Sequence, residues 1–202
     1  IARAQQLGID TVFDRAAQMK PCNIGIQGIC CKNCAMGPCR LPLTKAISEG
    51  EDTRKGLCGA TANTIAARNF IRMIAGGAAA HSDHGRAVAE VFLSAARKET
   101  DAYKIKDTAK LIAVAQVMGV ATTVEVDGKT QDRNIDEIAV EVGEIALKEW
   151  GKPEGELLYL KRAPQPLYDK WTKAGVKPRN IDREIVEIMH RTHMGVDQDY
   201  KN

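Results

Sequence analysis

Six cysteines carry the chemistry this chain can be expected to do. All lie within the first 58 residues, and the remaining 144 contain none. A secreted disulfide scaffold spreads its bridges over a small domain, whereas this chain is long and well supplied with apolar residues. The cluster therefore points to a metal site in a reducing compartment. Cys31, Cys34, Cys39 and Cys58 follow the pattern C-x2-C-x4-C-x18-C. A cubane iron–sulfur group asks for four thiolates, commonly three near in sequence and one remote. Gly25, Gly28, Gly37, Gly56 and Gly59 punctuate the segment and permit tight turns with amides close to a ligand. Ile24, Ile26, Ile29, Met36 and Leu57 are the apolar residues expected to keep water out. The competing assignment is tetrahedral zinc, for which C-x2-C is the usual opening. A zinc ribbon presents two such knuckles, however, and Cys39 with Cys58 does not form the second.

Cys22 and Cys30 remain. Cys30 adjoins Cys31, and neighbouring side chains point apart, so the two are not expected on one group. Two thiolates do not complete a four-iron centre, but an isologous dimer would bring the same pair from each subunit. Counting thus leaves two readings open: a cluster shared across a two-fold axis, or a Cys22–Cys30 disulfide or pair of inert thiols.

The histidines are few. His81 and His84 stand three apart, on one face of a helix. Such pairs are more often surface residues than ligands, although their near-neutral pKa suits proton carriage. His190 and His193 lack a nearby third ligand and read as capping or packing groups. No glycine-rich phosphate loop follows a strand, and no Ser/His/Asp constellation is apparent.

The elements that must hold these residues are helices. Ile65, Ala66, Asn69, Phe70, Met73 and Ile74 recur at helical spacing, so a helix is expected soon after Cys58, its amino end facing the cluster. Gly76-Gly77 is expected to break it. A second helix should run from His81 to Lys98, with Val88, Val91, Phe92 and Ala95 on one face. Asn134, with Glu137 three residues on, opens a third, whose stripe is Ile135, Ile138, Ala139, Val142, Ile145 and Ala146. Gly151-Lys-Pro153 ends it. Asn180 caps a helix over Ile181–His190. Only Thr122–Val126, beside Asp127-Gly128, is strand-like, and Trp150 and Trp171 read as core. The expected fold class is all-α, with an irregular cysteine-rich segment at its front. Residues 1–60 would form an N-terminal helix and cluster segment, and 61–202 a helical domain.

Composition agrees. The 202 residues are 44% hydrophobic and 27% charged, and the net charge is +3, spread without a basic stripe. With aromatics at 4%, nucleic acid is an unexpected partner. The longest apolar stretch, near Ile71–Ala80, is too short to span a bilayer. No signal peptide is visible, and the opening at Ile1 without an initiator Met reads as part of something longer.

The run Met19-Lys-Pro-Cys22 through Gly28-Ile-Cys30-Cys31 and Met36-Gly-Pro-Cys39-Arg40, then Gly56-Leu-Cys58-Gly-Ala-Thr61, resembles the amino-terminal segment of nickel–iron carbon monoxide dehydrogenases of anaerobes. The likeness continues through Ile65–Arg68, Gly76–His84, Ile105–Asp107, Ile181–Ile185 and Glu187–Thr192. It implies a cytoplasmic, anaerobic, homodimeric enzyme that converts CO and water to CO2, two protons and two electrons. Cys31, Cys34, Cys39 and Cys58 would hold one [4Fe–4S] cluster per subunit. Cys22 and Cys30 of both subunits would share a further cluster on the dimer axis, expected as [4Fe–4S], with [2Fe–2S] the other form the family takes there. The catalytic nickel–iron–sulfur centre would lie downstream of these residues, so this chain would supply the electron path and not the reaction centre.

Ferredoxin or a similar acceptor, and acetyl-CoA synthase, are the partners the resemblance brings. His81 and His84 fall where the family's histidines step along at intervals of three and carry protons. Here the next two steps are Ala87 and Glu90, so the imidazole chain is shortened. The gap between Cys39 and Cys58 also looks longer than in shorter family members, which places a small surface insertion at Leu43–Thr53. The alternatives are a hybrid-cluster hydroxylamine reductase, against which the Cys30-Cys31 doublet and Cys22 speak, and a ferredoxin-like carrier, which leaves the helical remainder unexplained. A structural zinc module is the weakest.

Overall fold

A segment built from glycine, cysteine and proline has little to bury, and the front of the chain folds accordingly into short pieces. The computed structural model describes residues 1–41, 52 and 54–202. The insertion expected at Leu43–Thr53 lies, Asp52 apart, outside the described residues. Helices α1 (Ala2–Gln6) and α2 (Val12–Ala17) bury no side chain. A reciprocal cap starts α2: Thr11 Oγ1 accepts from the Asp14 amide, and the Asp14 carboxylate accepts from the Thr11 amide at 2.8 Å. After a 3-10 turn at Gly25–Gln27, strands β1 (Cys30–Cys31) and β2 (Cys39–Arg40) pair antiparallel. Cys31 stands opposite Cys39, and Cys30 opposite Arg40.

Helix α3 (Ala62–Ala96) runs without interruption for 35 residues, so Gly76-Gly77 does not divide it. A glycine keeps its N–H and leaves the helical ladder intact. Its cost is about 1 kcal/mol relative to alanine. Buried Ile65, Ala75, Leu93 and Ala96 along the same helix offset that cost. The inward face also differs from the expected one: Phe70, Met73 and Ile74 are exposed, while Thr64, Ile65 and Arg68 are buried.

The chain divides into two units. The first comprises Ile1–Arg72 and Arg191–Asn202. Ile29, Cys31, Leu41, Ala60, Ala62 and Ile65 form its core, with Ile24, Cys39 and Cys58 packed against them. The C-terminal segment is tied to the start of α3 through polar groups. Thr64 Oγ1 donates to the Gln198 carbonyl at 2.8 Å, and Arg68 to the Asp197 carbonyl at 2.6 Å. Arg72 donates to Thr192 Oγ1 at 2.8 Å.

The second unit, Met73–His190, is helical around a core of Ala96, Leu111, Ala115, Val120, Ile138, Ala139 and Val142. It holds α4 (Thr108–Met118), α5 (Ile135–Leu147), α6 (Gln165–Ala174) and α7 (Ile181–Arg191, reaching one residue beyond the unit). The stripe expected on α5 is the buried one. Gly143 lets Leu93 approach that helix, since a Cβ there would meet Leu93 Cβ at 3.1 Å.

Asn134 caps α5 by accepting from the Asp136 amide at 2.8 Å. Asn180 caps α7 by accepting from Arg183 at 2.7 Å and also donates to the Lys152 carbonyl. The strand-like stretch becomes a hairpin of β3 (Thr123–Val126) and β4 (Lys129–Asp132). Asp127 (φ 51°) and Gly128 (φ 72°) make its two-residue turn, so β4, too polar to show in the sequence, follows from turn chemistry. Trp150 and Trp171 are half-buried rather than core, and the Trp150 indole donates to Ser82 at 2.9 Å. The helical fold class holds. No helix among the described residues is long and apolar enough to cross a membrane.

Candidate metal centre

The four expected cysteines reach the site by three local devices. Cys31 and Cys39 are cross-strand partners on β1 and β2. Cys34 sits in the connection between those strands, where Gly37 N–H donates to its carbonyl at 3.3 Å. Cys58 occupies a tight turn closed by Gly59 N–H to the Gly56 carbonyl at 2.9 Å and Gly56 N–H to Ala60 at 2.8 Å. Gly59 has φ 88°, a conformation only glycine takes freely. Thr61 then caps α3 through the Thr64 amide at 3.2 Å.

The four thiols line one small hollow together with Asn33, Gly56, Ile65, Arg68 and Met194. Donors reach two of the sulfurs. The Leu57 amide points at Cys39 Sγ (3.5 Å) and Arg68 Nη1 at Cys58 Sγ (3.7 Å). Gln198 Nε2 donates to the Cys58 carbonyl at 3.1 Å. Burial pushes the Cys58 thiol up, but hydrogen bonds from the Ala60 amide, Arg68, Gln198 and the Gly195 amide outweigh it and bring it to about 7. A Cβ on Gly56 would stand 3.5 Å from Cys39 Sγ, so glycine there keeps the approach to that sulfur open.

Two buried side-chain atoms among the described residues have no hydrogen-bond partner, Asn33 Nδ2 and Arg68 Nε. Both residues line this hollow, whose lining among the described residues includes an arginine and no carboxylate. Four thiols, a buried cation and spare donors fit an anionic, sulfur-rich group. No three His, Cys, Asp or Glu side chains among the described residues converge on a single ion. The fit therefore rests on the shared hollow and its donors.

Cys22 and Cys30 are not on this hollow. Alternation along β1 sends Cys30 to the face opposite Cys31. Cys30 is half-buried, Cys22 is exposed, and all six cysteines are free thiols. The Gly25 and Ile24 amides hold the Cys22 thiol below its ordinary value. Asn69 on α3 fixes this edge, donating to the Gly28 carbonyl at 2.8 Å and the Cys30 carbonyl at 3.1 Å.

Of the five residues expected to exclude water, Ile29 is buried and Ile24 half-buried, while Ile26, Met36 and Leu57 are exposed. At Leu57 the reason is local, because its amide is turned toward Cys39 Sγ. His81 and His84 lie on α3, both exposed. His84 rims an apolar hollow of about 870 Å³ that Val88, Val91, Phe92 and Ala95 also line. Ala87 and Glu90, the next steps of that face, are exposed, as are His190 and His193.

Arg68, Asn33 and the C-terminal residues Gly195–Gln198 are the site residues that sequence reasoning missed. Arg68 had a signal, being three residues beyond Ile65 and so on the same inward face. The C-terminal segment had none, since more than a hundred residues separate it from Cys58.

This is a helical protein with four thiols around one donor-rich hollow at its front. It belongs to the Prismane/CO dehydrogenase family, whose model matches residues 29–202. Carbon monoxide dehydrogenase 1 of Methanosarcina acetivorans is 46% identical over 200 residues, covering 98% of this chain and 30% of that protein. A nickel-free carbon monoxide dehydrogenase from Thermococcus sp. AM4, produced without the CooC maturase, superposes with a TM-score of 0.82 at 46% identity. That match covers 99% of this chain and 30% of the other. An acetyl-CoA synthase/carbon monoxide dehydrogenase with NiZn[Fe4S4] and NiNi[Fe4S4] clusters in its alpha subunits gives 0.81 at 38% identity, covering 100% and 28%. These relatives favour the dehydrogenase branch over hybrid-cluster proteins. The chain spans about 30% of the length of the curated relatives first matched.

Proposed function

We propose that this chain is the electron-relaying portion of an anaerobic, nickel-dependent carbon monoxide dehydrogenase catalysing CO + H2O → CO2 + 2 H+ + 2 e−. The observation that carries the reading is the convergence of Cys31, Cys34, Cys39 and Cys58 on one donor-lined hollow in a chain of this family. The four thiolates would hold a [4Fe–4S] cluster, which when bound takes up and passes on one electron at a time. The chain's own part is to supply the thiolates, to pack Cys31, Cys39 and Cys58 against Ile29, Leu41 and Ile65, and to place amides and Arg68 at Cys39 and Cys58.

Cys22 and Cys30, turned away from that hollow, would meet their counterparts across the axis of a homodimer and hold a second, shared cluster. Exposure of Cys22 supports this reading. The nickel–iron–sulfur centre would be held by residues of the full-length polypeptide outside this chain, and electrons would leave to a ferredoxin-like acceptor. His81 and His84 would carry protons along α3. Acetyl-CoA synthase is the partner class the third relative brings, and the cytoplasm of an anaerobe is the setting. Residues 1–60 would serve as the cluster segment and 61–202 as its helical support.

The test is metal analysis of the full-length protein prepared without oxygen, with mass by light scattering and CO-dependent dye reduction. Cys34→Ser should remove about eight irons per dimer and Cys30→Ala about four, both leaving nickel in place and slowing dye reduction. Zinc bound at Cys34 without sulfide would refute the relay.

A further inference from the structure

Among the described residues, Asn33 Nδ2 and Arg68 Nε are the two buried side-chain donors without a partner, and both residues line the hollow of the four thiols. Buried polar groups are nearly always satisfied in folded proteins, so two orphans on residues that line one hollow call for a common acceptor. Arg68 is 4% exposed, and no carboxylate among the described residues lines the hollow beside it. Its guanidinium is held in place by the Asp197 carbonyl at 2.6 Å and reaches Cys58 Sγ at 3.7 Å, which leaves Nε to spare. A buried cation needs a compensating anion.

We infer that Asn33 and Arg68 donate hydrogen bonds to the sulfur atoms of the cluster proposed at Cys31, Cys34, Cys39 and Cys58, and that these bonds set its reduction potential. The inference rests on the cluster reading of that hollow. One-electron reduction adds a negative charge to the group and breaks no bond of the protein. Donors and a nearby cation favour the more negative state, so they raise the potential. Both are positioning and tuning residues, since the thiolates make the bonds to iron.

The experiment is a potentiometric titration of the full-length protein followed by electron paramagnetic resonance, with mediator dyes supplying the electron. The signal of this cluster is the one that Cys34→Ser abolishes. Arg68→Met should shift the one-electron equilibrium at least tenfold toward the oxidised form, about 59 mV. Arg68→Lys, which keeps the charge and loses Nε, should shift less, and Asn33→Ala should shift in the same direction. Asn33→Ala leaves the Asp197 contact of Arg68 intact, so it decides the matter if an Arg68 variant fails to fold. Full iron and sulfide content with wild-type potentials in Asn33→Ala and the folded Arg68 variants would overturn the inference and leave the cluster reading standing. A wild-type protein with no signal sensitive to Cys34→Ser would overturn both.

Discussion

Replacing Gly37 by alanine should loosen the pairing of the two strands that carry Cys31 and Cys39. Gly37 lies in the connection between them, and its φ lies outside the left-handed region, so that conformation is not what glycine supplies there. Space is what it lacks. An added Cβ would stand 3.1 Å from the Cys31 carbonyl oxygen and 3.1 Å from the Cys39 amide nitrogen. Both neighbours are backbone, and they belong to the cross-strand pair Cys31 and Cys39. No flexible side chain can yield, so relief comes by shifting the connection or the strands it joins by a few tenths of an ångström.

Overpacking of this kind costs about 1–3 kcal/mol. The lower chain entropy of alanine in the unfolded state returns about 0.4–1 kcal/mol. The middle of the remaining range is about 1–2 kcal/mol, a five- to thirtyfold increase in local opening. Hydrogen exchange across residues 29–41 of the metal-free full-length protein measures it, and iron content after reconstitution should fall in parallel.

Gly59→Ala is the comparison. No atom lies within 4 Å of a Cβ there, but φ is 88°, so its cost of about 1–2 kcal/mol comes from backbone conformation. Asparagine, which tolerates the left-handed region, should recover part of the loss at Gly59 and none at Gly37. Wild-type exchange in Gly37→Ala, or rescue there by asparagine, would refute the steric argument.

Three further outcomes follow from the same geometry. In metal-free protein Cys58 should be alkylated half-maximally near pH 7, and Arg68→Met should move that midpoint up; a midpoint near the ordinary value of 9.0 would contradict the donor set around it. Because the folded value is lowered, the associated stabilisation is full above about pH 9 and is lost as pH falls through about 7. Asn180→Ala should cost about 2–4 kcal/mol in denaturant unfolding, from a lost helix cap and an unpaired Lys152 carbonyl. Asn180→Asp, which keeps the cap oxygen, should cost less, and equal losses would show the cap to be idle. Gly143→Ala should destabilise by up to about 2 kcal/mol, since overpacking against Leu93 exceeds the helix-propensity gain of about 1 kcal/mol. In a Leu93→Ala background the cost should shrink only by the share of Leu93 Cδ1, since the Leu93 Cβ at 3.1 Å remains, and the double-mutant cycle reads that partial coupling.

What the sequence disclosed of the fold tracks the range of the interactions involved. Helix α5 was legible because its stripe and its cap are local, and so was α7 from Asn180. The expected break at Gly76-Gly77 does not occur, because local propensity weighs only the two glycines, whereas buried residues on either side decide the helix. The outward Phe70, Met73 and Ile74 show the same limit, because an apolar stripe fixes a period and not which neighbour covers it. Strand β4 was lost for the opposite reason: Lys129–Asp132 is polar and exposed, and only its turn residues mark it.

The candidate site divides along the same line. Thiol count and spacing named four cysteines, and the structure brings those four to one hollow, because cysteine spacing records local turn chemistry. The partners that make the hollow a site for an anion come from further away. Thr64, Arg68 and Arg72 stand at four-residue intervals on α3, one inward row of donors, and that much was written in the sequence. Their acceptors, the Gln198 and Asp197 carbonyls and Thr192 Oγ1, are mostly backbone atoms, which no residue type announces. A polar row on the inward face of a helix therefore demands a partner without identifying it. Arg68 is the instructive case: one nitrogen satisfied by a returning chain, one directed at a cysteine, and one left over beside the thiols. That leftover nitrogen carries information about a bound group that the thiols alone do not, since thiols suit zinc and iron–sulfur chemistry alike. A spare buried donor favours a group that brings its own acceptors, as the sulfides of a cluster do and a zinc ion does not.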